Sequence, residues 1–420
     1  MSIPKKIFFA HSGGVTSVVN TIAASLITEA KTYPTQIEEV IAGENGILGA
    51  IHEELINTYH EPQKNIEKLL YTPGSGFGSC RYKLKDPEKS EKEYRRIIEV
   101  FEAHNIGYFV YNGGNDSQDT TYKLSKYSEK IGYPLQCIGI PKTIDNDLAI
   151  TDCCPGYAST AKYIATSIKE ASLDIKSMSH TSTKVFIMET MGRHTGWITA
   201  AAGIAAQSCE DGPHILLFPE IPYNQANFIN KVKDCVNKYG YCVVVAAEGI
   251  KTDKEEFLTD AKSCDAFGHQ QLGGVAPILA KVVNENLNMK VHWAVADYLQ
   301  RSARHICSQT DHNHAVALGK AAISSIIKGK NNIMLTIERE NNLNYNWKIG
   351  ETELHQVANF EKQLPLKFMS ADQMNISQDF IEYLTPLIQG EAYPKYNEFG
   401  IPDYVTLNNF KVTKKLPNFD

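Results

Sequence analysis

A lysine, a threonine and two aspartates fall within six residues, in Lys142-Thr143-Ile144-Asp145-Asn146-Asp147, directly after an apolar run at 135–140 that closes on Pro141. Acids just past a buried strand are poorly explained as a solvated charge run. A carboxylate held there can take a proton from an attacking hydroxyl, which makes Asp145 a candidate general base. Asp147 can assist by hydrogen bonding or through metal-bound water, and Lys142 can neutralise charge on a leaving phosphate. A plain turn is the competing explanation.

Other turns carry residues suited to phosphate. Ser12-Gly13-Gly14 exposes backbone N–H groups ahead of a helical stretch, which suits an anion, although a tight turn without ligand would look the same. The stretch 74–81 combines three glycines and two serines with Arg81, a fixed cation, and reads either as an anion loop or as a mobile surface loop. In 112–117, Asp116 or Ser117 could cap a helix. Alternatively this turn is a magnesium–phosphate platform, with Gly114 admitting phosphate to the backbone and Asn115 offering a carbonyl oxygen to the metal. Met191-Gly192-Arg193, Glu248 and Tyr298-Leu299-Gln300-Arg301 border further strand-like runs. The guanidinium fork matches a phosphate monoester, and Glu248 could accept sugar hydroxyls.

These residues need elements to hold them. Short apolar runs at 6–10, 108–111, 135–140, 184–188, 214–218 and 242–247 read as buried strands. Helical spacing at 18–30, from about 117, at 156–172, from about 195 and at 225–237 separates most of them. Such alternation predicts parallel βαβ units, whose ligands sit beyond the carboxyl ends of the strands. The polar turns after Ala10, Tyr111, Ile140, Met188 and Ala247 therefore project toward one kind of location. Residues 251–272 read as a surface excursion, the last 60 or so as an extension without a packing pattern, and 414–420 as a loose tail.

A chain of 420 residues with 43% hydrophobic and 21% charged residues predicts ordinary globular domains, two by default. Net charge of −6 argues against broad nucleic-acid binding. Nine cysteines without a CxxC pair predict free thiols rather than a zinc site. No apolar run reaches the ~20 residues of a membrane span, and the N-terminus lacks a secretory apolar core of about 7–15 residues. A cytoplasmic location is expected by elimination.

Taken in order, Ser-Gly-Gly (12–14), Gly-Gly-Asn-Asp-Ser (113–117), Pro-Lys-Thr-Ile-Asp-Asn-Asp (141–147), Met-Glu-Thr-Met-Gly-Arg (188–193), Ala-Ala-Glu-Gly (246–249) and Tyr-Leu-Gln-Arg (298–301) resemble the phosphofructokinase family. The seven-residue motif at 141–147 is the most specific of the six. The resemblance implies an α/β fold of two Rossmann-like doubly wound domains with the active site in the cleft between them. The expected division is 1–156 plus 300–350 for the phosphoryl donor and 157–299 plus 351–420 for the sugar phosphate. It implies Mg²⁺ as cofactor and a homo-oligomer, dimer or tetramer, with fructose 6-phosphate as acceptor. Asp145 resembles the base that deprotonates the sugar 1-hydroxyl, and Asp145, Asp116 and Lys142 form the expected catalytic set. Thr143, Asp147, Met191, Gly192, Arg193, Glu248, Tyr298 and Arg301 match substrate-binding positions. Lys184 stands where the family often has an arginine reaching into the partner subunit's site. Gly13, Arg81 and Gly114 match donor positions, and Asn115 stands where many members bind the metal through aspartate. His292 replaces a frequent arginine for the sugar 6-phosphate, with Lys290, Arg304 and His305 as neighbouring substitutes.

The resemblance also bears on the donor. ATP-using members typically carry glycine where this chain has Asp116 and Lys142, and pyrophosphate-using members resemble it at both. A carboxylate about 4 Å from a nucleotide's α-phosphate would cost roughly 4 kcal/mol at an effective dielectric of 20, a penalty of ~10³-fold. The reading is reversible phosphoryl transfer from pyrophosphate to the 1-hydroxyl of fructose 6-phosphate, a glycolytic step. Its alternatives are an ATP-dependent enzyme and a non-catalytic regulatory subunit.

Overall fold

Apolar runs that end in glycine or polar turns become the strands of two parallel-rich sheets. A computed structural model describes residues 5–259, 272–340 and 345–419. Among these the strands are β1 Lys5–His11, β2 Ile37–Gly43, β3 Leu55–Asn57, β4 Ile106–Gly113, β5 Gln136–Pro141, β6 Val185–Thr190, β7 Ile215–Leu217, β8 Cys242–Ala247, β9 Val291–Val295, β10 Ile333–Arg339 and β11 Trp347–Glu353.

The first sheet has the order β11-β10-β5-β4-β1-β2-β3 and the second β7-β8-β6-β9. In the first, only the outer pairs β10–β11 and β2–β3 are antiparallel. Strand β1 lies between β2 and β4, so the chain leaves it in opposite directions, which opens a crevice at its carboxyl end. In the second sheet β6 lies between β8 and β9 in the same way.

The alternation along β1 shows why the sequence reads as continuously apolar. Ile7 and Phe9 pack with Ile22, Leu26, Leu318 and Ile323 on one face. Phe8 and Ala10 pack with Ile97, Phe101 and Leu124 on the other. Successive side chains point to opposite faces, and helices cover both. Gly319 lets the helices Val19–Ala30 and Gln309–Ile327 meet closely, because a Cβ there would stand 2.6 Å from the Ile22 carbonyl oxygen.

The expectation of two doubly wound α/β units holds, and the six strands read from the sequence are all present. Strand β2 carries two glutamates, while β9 and β11 are half-exposed, so none of these shows an uninterrupted apolar signal. The C-terminal tail departs from expectation because it is docked. The buried Glu53 accepts the backbone N–H groups of Lys415 and Leu416 at 2.6 and 3.1 Å, and its carboxylate also bonds His104. Phe419 then packs on His52, with Lys92 and Arg96 over its ring. Part of the excursion expected at 251–272 lies outside the described residues. No helix among the described residues is long and apolar enough to cross a membrane.

Candidate active site

The carboxyl ends of β1, β4 and β5 face those of β6, β8 and β9 across a cavity of about 1040 Å³. That exceeds the ~300–1,000 Å³ usual for one small ligand. Among the described residues, seven carboxylates and five lysine or arginine side chains line it.

The first glycine turn concentrates positive charge. Gly13 has φ +74° and donates its N–H to the Cys80 carbonyl at 2.9 Å. Lys142 is buried and donates to the Gly14 carbonyl at 2.6 Å. A Cβ on Gly14 would stand 2.6 Å from Arg301 Nη1 and 4.0 Å from Arg81 Nη2, so glycine leaves room for three cations to converge. Burial, together with Arg301 and Arg81, lowers the Lys142 pKa to about 8. Arg301 starts from the helix Asp297–Ser302 beyond the second sheet, with its guanidinium 3.9 Å from the Tyr298 ring centre. Expected at the sugar phosphate, it leans over the first glycine turn in this structure.

The loop at 74–81 is pinned, not mobile. Asn20 accepts the Gly76 N–H at 2.9 Å, Ser75 bonds His11, and Ser79 donates to the Gly13 carbonyl. Arg81 is thereby fixed beside Gly14.

Gly114 caps the helix Asn115–Ile131, placing Asn115 and Asp116 in its first turn at the cavity. The Asn115 carbonyl oxygen accepts the Asn359 N–H, and its amide donates to the Phe360 carbonyl at 2.7 Å. Asp116 pairs with Lys83 at 2.8 Å. The bare like-charge cost reckoned from the sequence therefore overstates the effect, since the carboxylate is neutralised by a cation the sequence reading passed over.

In the 141–147 turn, the Asp145 N–H donates to Thr143 Oγ1 at 3.0 Å, and Thr195 Oγ1 donates to the Asp145 carbonyl. Asn146 has φ +53°; its amide accepts the Cys154 N–H and donates to Tyr383. Lys362 clamps the same turn by donating its N–H to the Asp147 carbonyl at 2.7 Å. Burial, Asp147 and Glu248 push the Asp145 carboxyl up to about 7, against the opposing pull of Arg193 and Lys142. Burial raises Asp147 and Glu248 as well.

Opposite stands the end of β6. Gly192 has φ +135°, a conformation that favours glycine. The Met191 N–H donates to Gln300 Oε1 at 3.3 Å, and Arg193 lies close enough to Asp145 and Glu248 to offset their raised values. Glu220 accepts the N–H groups of Gly196 and Leu364, fixing the turn from behind. Glu189, a cavity residue not anticipated, accepts the N–H groups of Gly274 and Ala276 and holds the start of the helix Val275–Leu287 at the cavity. Gly249 bonds the Gly192 carbonyl, and a Cβ there would overlap the Arg193 carbonyl oxygen and stand 2.6 Å from that of Gly192. Gly249→Ala is accordingly expected to lower stability by about 1–3 kcal/mol and to disturb the turn that carries Arg193. Thermal melts check this.

Lys184 stands apart, at the opposite end of β6, with its ammonium on the carbonyls of Ser179 and His180. His292 is exposed on β9, the edge strand. Arg304 cannot replace the missing arginine within this chain, because it is fully buried and bonds the Ala392 and Leu70 carbonyls.

No three His, Cys, Asp or Glu side chains among the described residues form a ready metal cage. Mg²⁺ does not need one, since it usually takes one or two carboxylates together with substrate phosphate oxygens and water. Asp147 Oδ1, buried and without a hydrogen-bond partner among the described residues, fits that role.

The phosphofructokinase family profile matches residues 6–326. A pyrophosphate–fructose 6-phosphate 1-phosphotransferase of Methylococcus capsulatus is 52% identical over 409 residues, covering 97% of each chain. One of Xanthomonas campestris is 51% identical over 415 residues, covering 99% of each. The crystal structure of a pyrophosphate-dependent phosphofructokinase from Nitrosospira multiformis superimposes with a TM-score of 0.92 at 51% identity, covering 99% of this chain and 100% of that one.

Proposed function

The chain belongs to the phosphofructokinase family, and from that premise we propose that it transfers a phosphoryl group from pyrophosphate to the 1-hydroxyl of fructose 6-phosphate. The observation that carries the reading is the buried Lys142 at Gly14, flanked by Arg301 and Arg81 and lining the same cavity as Asp145. A compact dianionic leaving group needs such a concentration of charge, and a sugar hydroxyl needs the adjacent base.

The turns of the first sheet hold the donor. Gly13, Gly114, Arg81 and Lys142 engage pyrophosphate, and Asp116 closes the space beyond it. The second sheet's turns hold the sugar phosphate. Met191, Arg193 and Glu248 contact it, with Gly192 shaping their turn, Tyr298 entering from the helix at 297–302, and Arg301 reaching from that helix to the donor's side at Gly14. Thr143 holds the Asp145 backbone, so the carboxylate faces the acceptor and takes the proton of the 1-hydroxyl. Asp147 would hold Mg²⁺ together with the donor's oxygens, with Asn115 a lesser ligand because its carbonyl already serves Asn359. When bound, the metal neutralises charge on the transferring group. The protein's own part is alignment and exclusion of water. A homo-oligomer in which Lys184 serves the partner subunit's site accords with its distance from this chain's cavity.

The test is the initial rate with fructose 6-phosphate and Mg²⁺. Pyrophosphate should exceed ATP in kcat/KM by at least about 100-fold, or ~2.7 kcal/mol, and the reaction should run in both directions. Equal or better use of ATP would overturn the donor assignment.

A further inference from the structure

We propose that Lys83 is a positioning residue for the donor site, acting through Asp116. The inference rests on the pyrophosphate reading and deepens it. Residues 81–84 alternate. Tyr82 packs against the buried cluster behind β1 and β4 and donates its hydroxyl to Glu93 at 2.7 Å, and Leu84 is fully buried in the same cluster. Arg81 and Lys83 consequently share the opposite side, and both line the cavity. Arg81 reaches Gly14, whereas Lys83 meets Asp116 at 2.8 Å.

A bare carboxylate beside a pyrophosphate pocket would repel the very ligand the pocket must take. The Lys83 ammonium removes that repulsion while leaving the Asp116 side chain in place. Asp116 then acts by occupying the space where a nucleotide would continue, as one half of a neutral pair that joins the 81–84 segment to the start of the helix Asn115–Ile131. Exposed ion pairs add little to stability, so the consequence falls on donor binding and not on folding.

The experiment compares Lys83→Met, Lys83→Arg, Asp116→Asn and the double variant Lys83→Met/Asp116→Asn, with pyrophosphate and Mg²⁺ as the probe. In Lys83→Met the KM for pyrophosphate should rise about tenfold, a differential of ~1.4 kcal/mol. The KM for fructose 6-phosphate and the melting temperature should stay essentially unchanged. Lys83→Arg should retain most of the wild-type affinity, and Asp116→Asn should recover most of what Lys83→Met loses, because the repelling charge is gone. Unchanged pyrophosphate KM in Lys83→Met, or a double variant no better than Lys83→Met, would overturn the proposal. If Lys83→Met melts early, the Lys83→Arg and Asp116→Asn arms decide on the same criteria. A wild-type enzyme that prefers ATP would instead refute the donor assignment, so the two failures are distinguishable.

Discussion

Asp145→Asn should lower kcat by about 10²–10⁴-fold while changing substrate affinity only modestly. The amide preserves the size of the side chain, and the backbone contacts to Thr143 and Thr195 do not involve it. What is lost is the capacity to accept the hydroxyl proton. The pH profile gives a second reading of the same residue. Asp145 must be ionised to act, and its pKa is pushed up to about 7 by burial and by Asp147 and Glu248. Activity should therefore fall as pH drops through about 7. Because Asp147 shares the desolvated turn, that limb belongs to the pair. Lys142 must be charged to act, and its pKa is lowered to about 8, so activity should also fall as pH rises through that value. A plot of kcat/KM should be bell-shaped with a narrow crest between these limbs, and the acidic limb should be lost in Asp145→Asn. Near-normal turnover in that variant would remove Asp145 from the base role.

Replacing both Asp116 and Lys142 by glycine should reverse the donor preference. Lys142 contributes a buried cation at the Gly14 carbonyl, and loss of one such stabilising group typically costs about 10²–10³-fold in rate. Pyrophosphate use should drop by that order. The two deleted side chains leave an open cavity beside the first glycine turn, and Asp116 no longer blocks its continuation, so the ratio of ATP to pyrophosphate turnover should rise. Glycine in the first turn of the helix at 115–131 costs about 1 kcal/mol, which a thermal melt separates from the catalytic effect. If the ratio does not rise, these two positions do not set donor choice.

The site was legible in proportion to how local its signals are. A buried strand ending in glycine or in paired acids announces a functional turn, because backbone geometry and burial constrain residue types over a few positions. In this way Gly13, Gly114, Lys142, Asp145, Gly192, Arg193 and Glu248 were all singled out from the sequence as candidates, and all but Gly192 line the cavity. Contacts between distant segments leave no such trace. Nothing near 141–147 indicates that Tyr383 and Lys362 hold the turn, or that Glu220 braces the one at 191–196. Lys83 reads as one more surface lysine until its partner is known. The tail looked loose because its anchor, Glu53, lies more than 350 residues away.

The order and types of residues at the strand ends carried the fold class and, through the family they resemble, the reaction type, since parallel βαβ units turn their carboxyl-end loops toward ligand. Only the folded chain decided the electrostatics: which carboxylate is paired, where Arg301 points, and how far burial raises Asp145. Those depend on through-space distances and on exclusion of water, quantities that arise when segments remote in the chain are packed together.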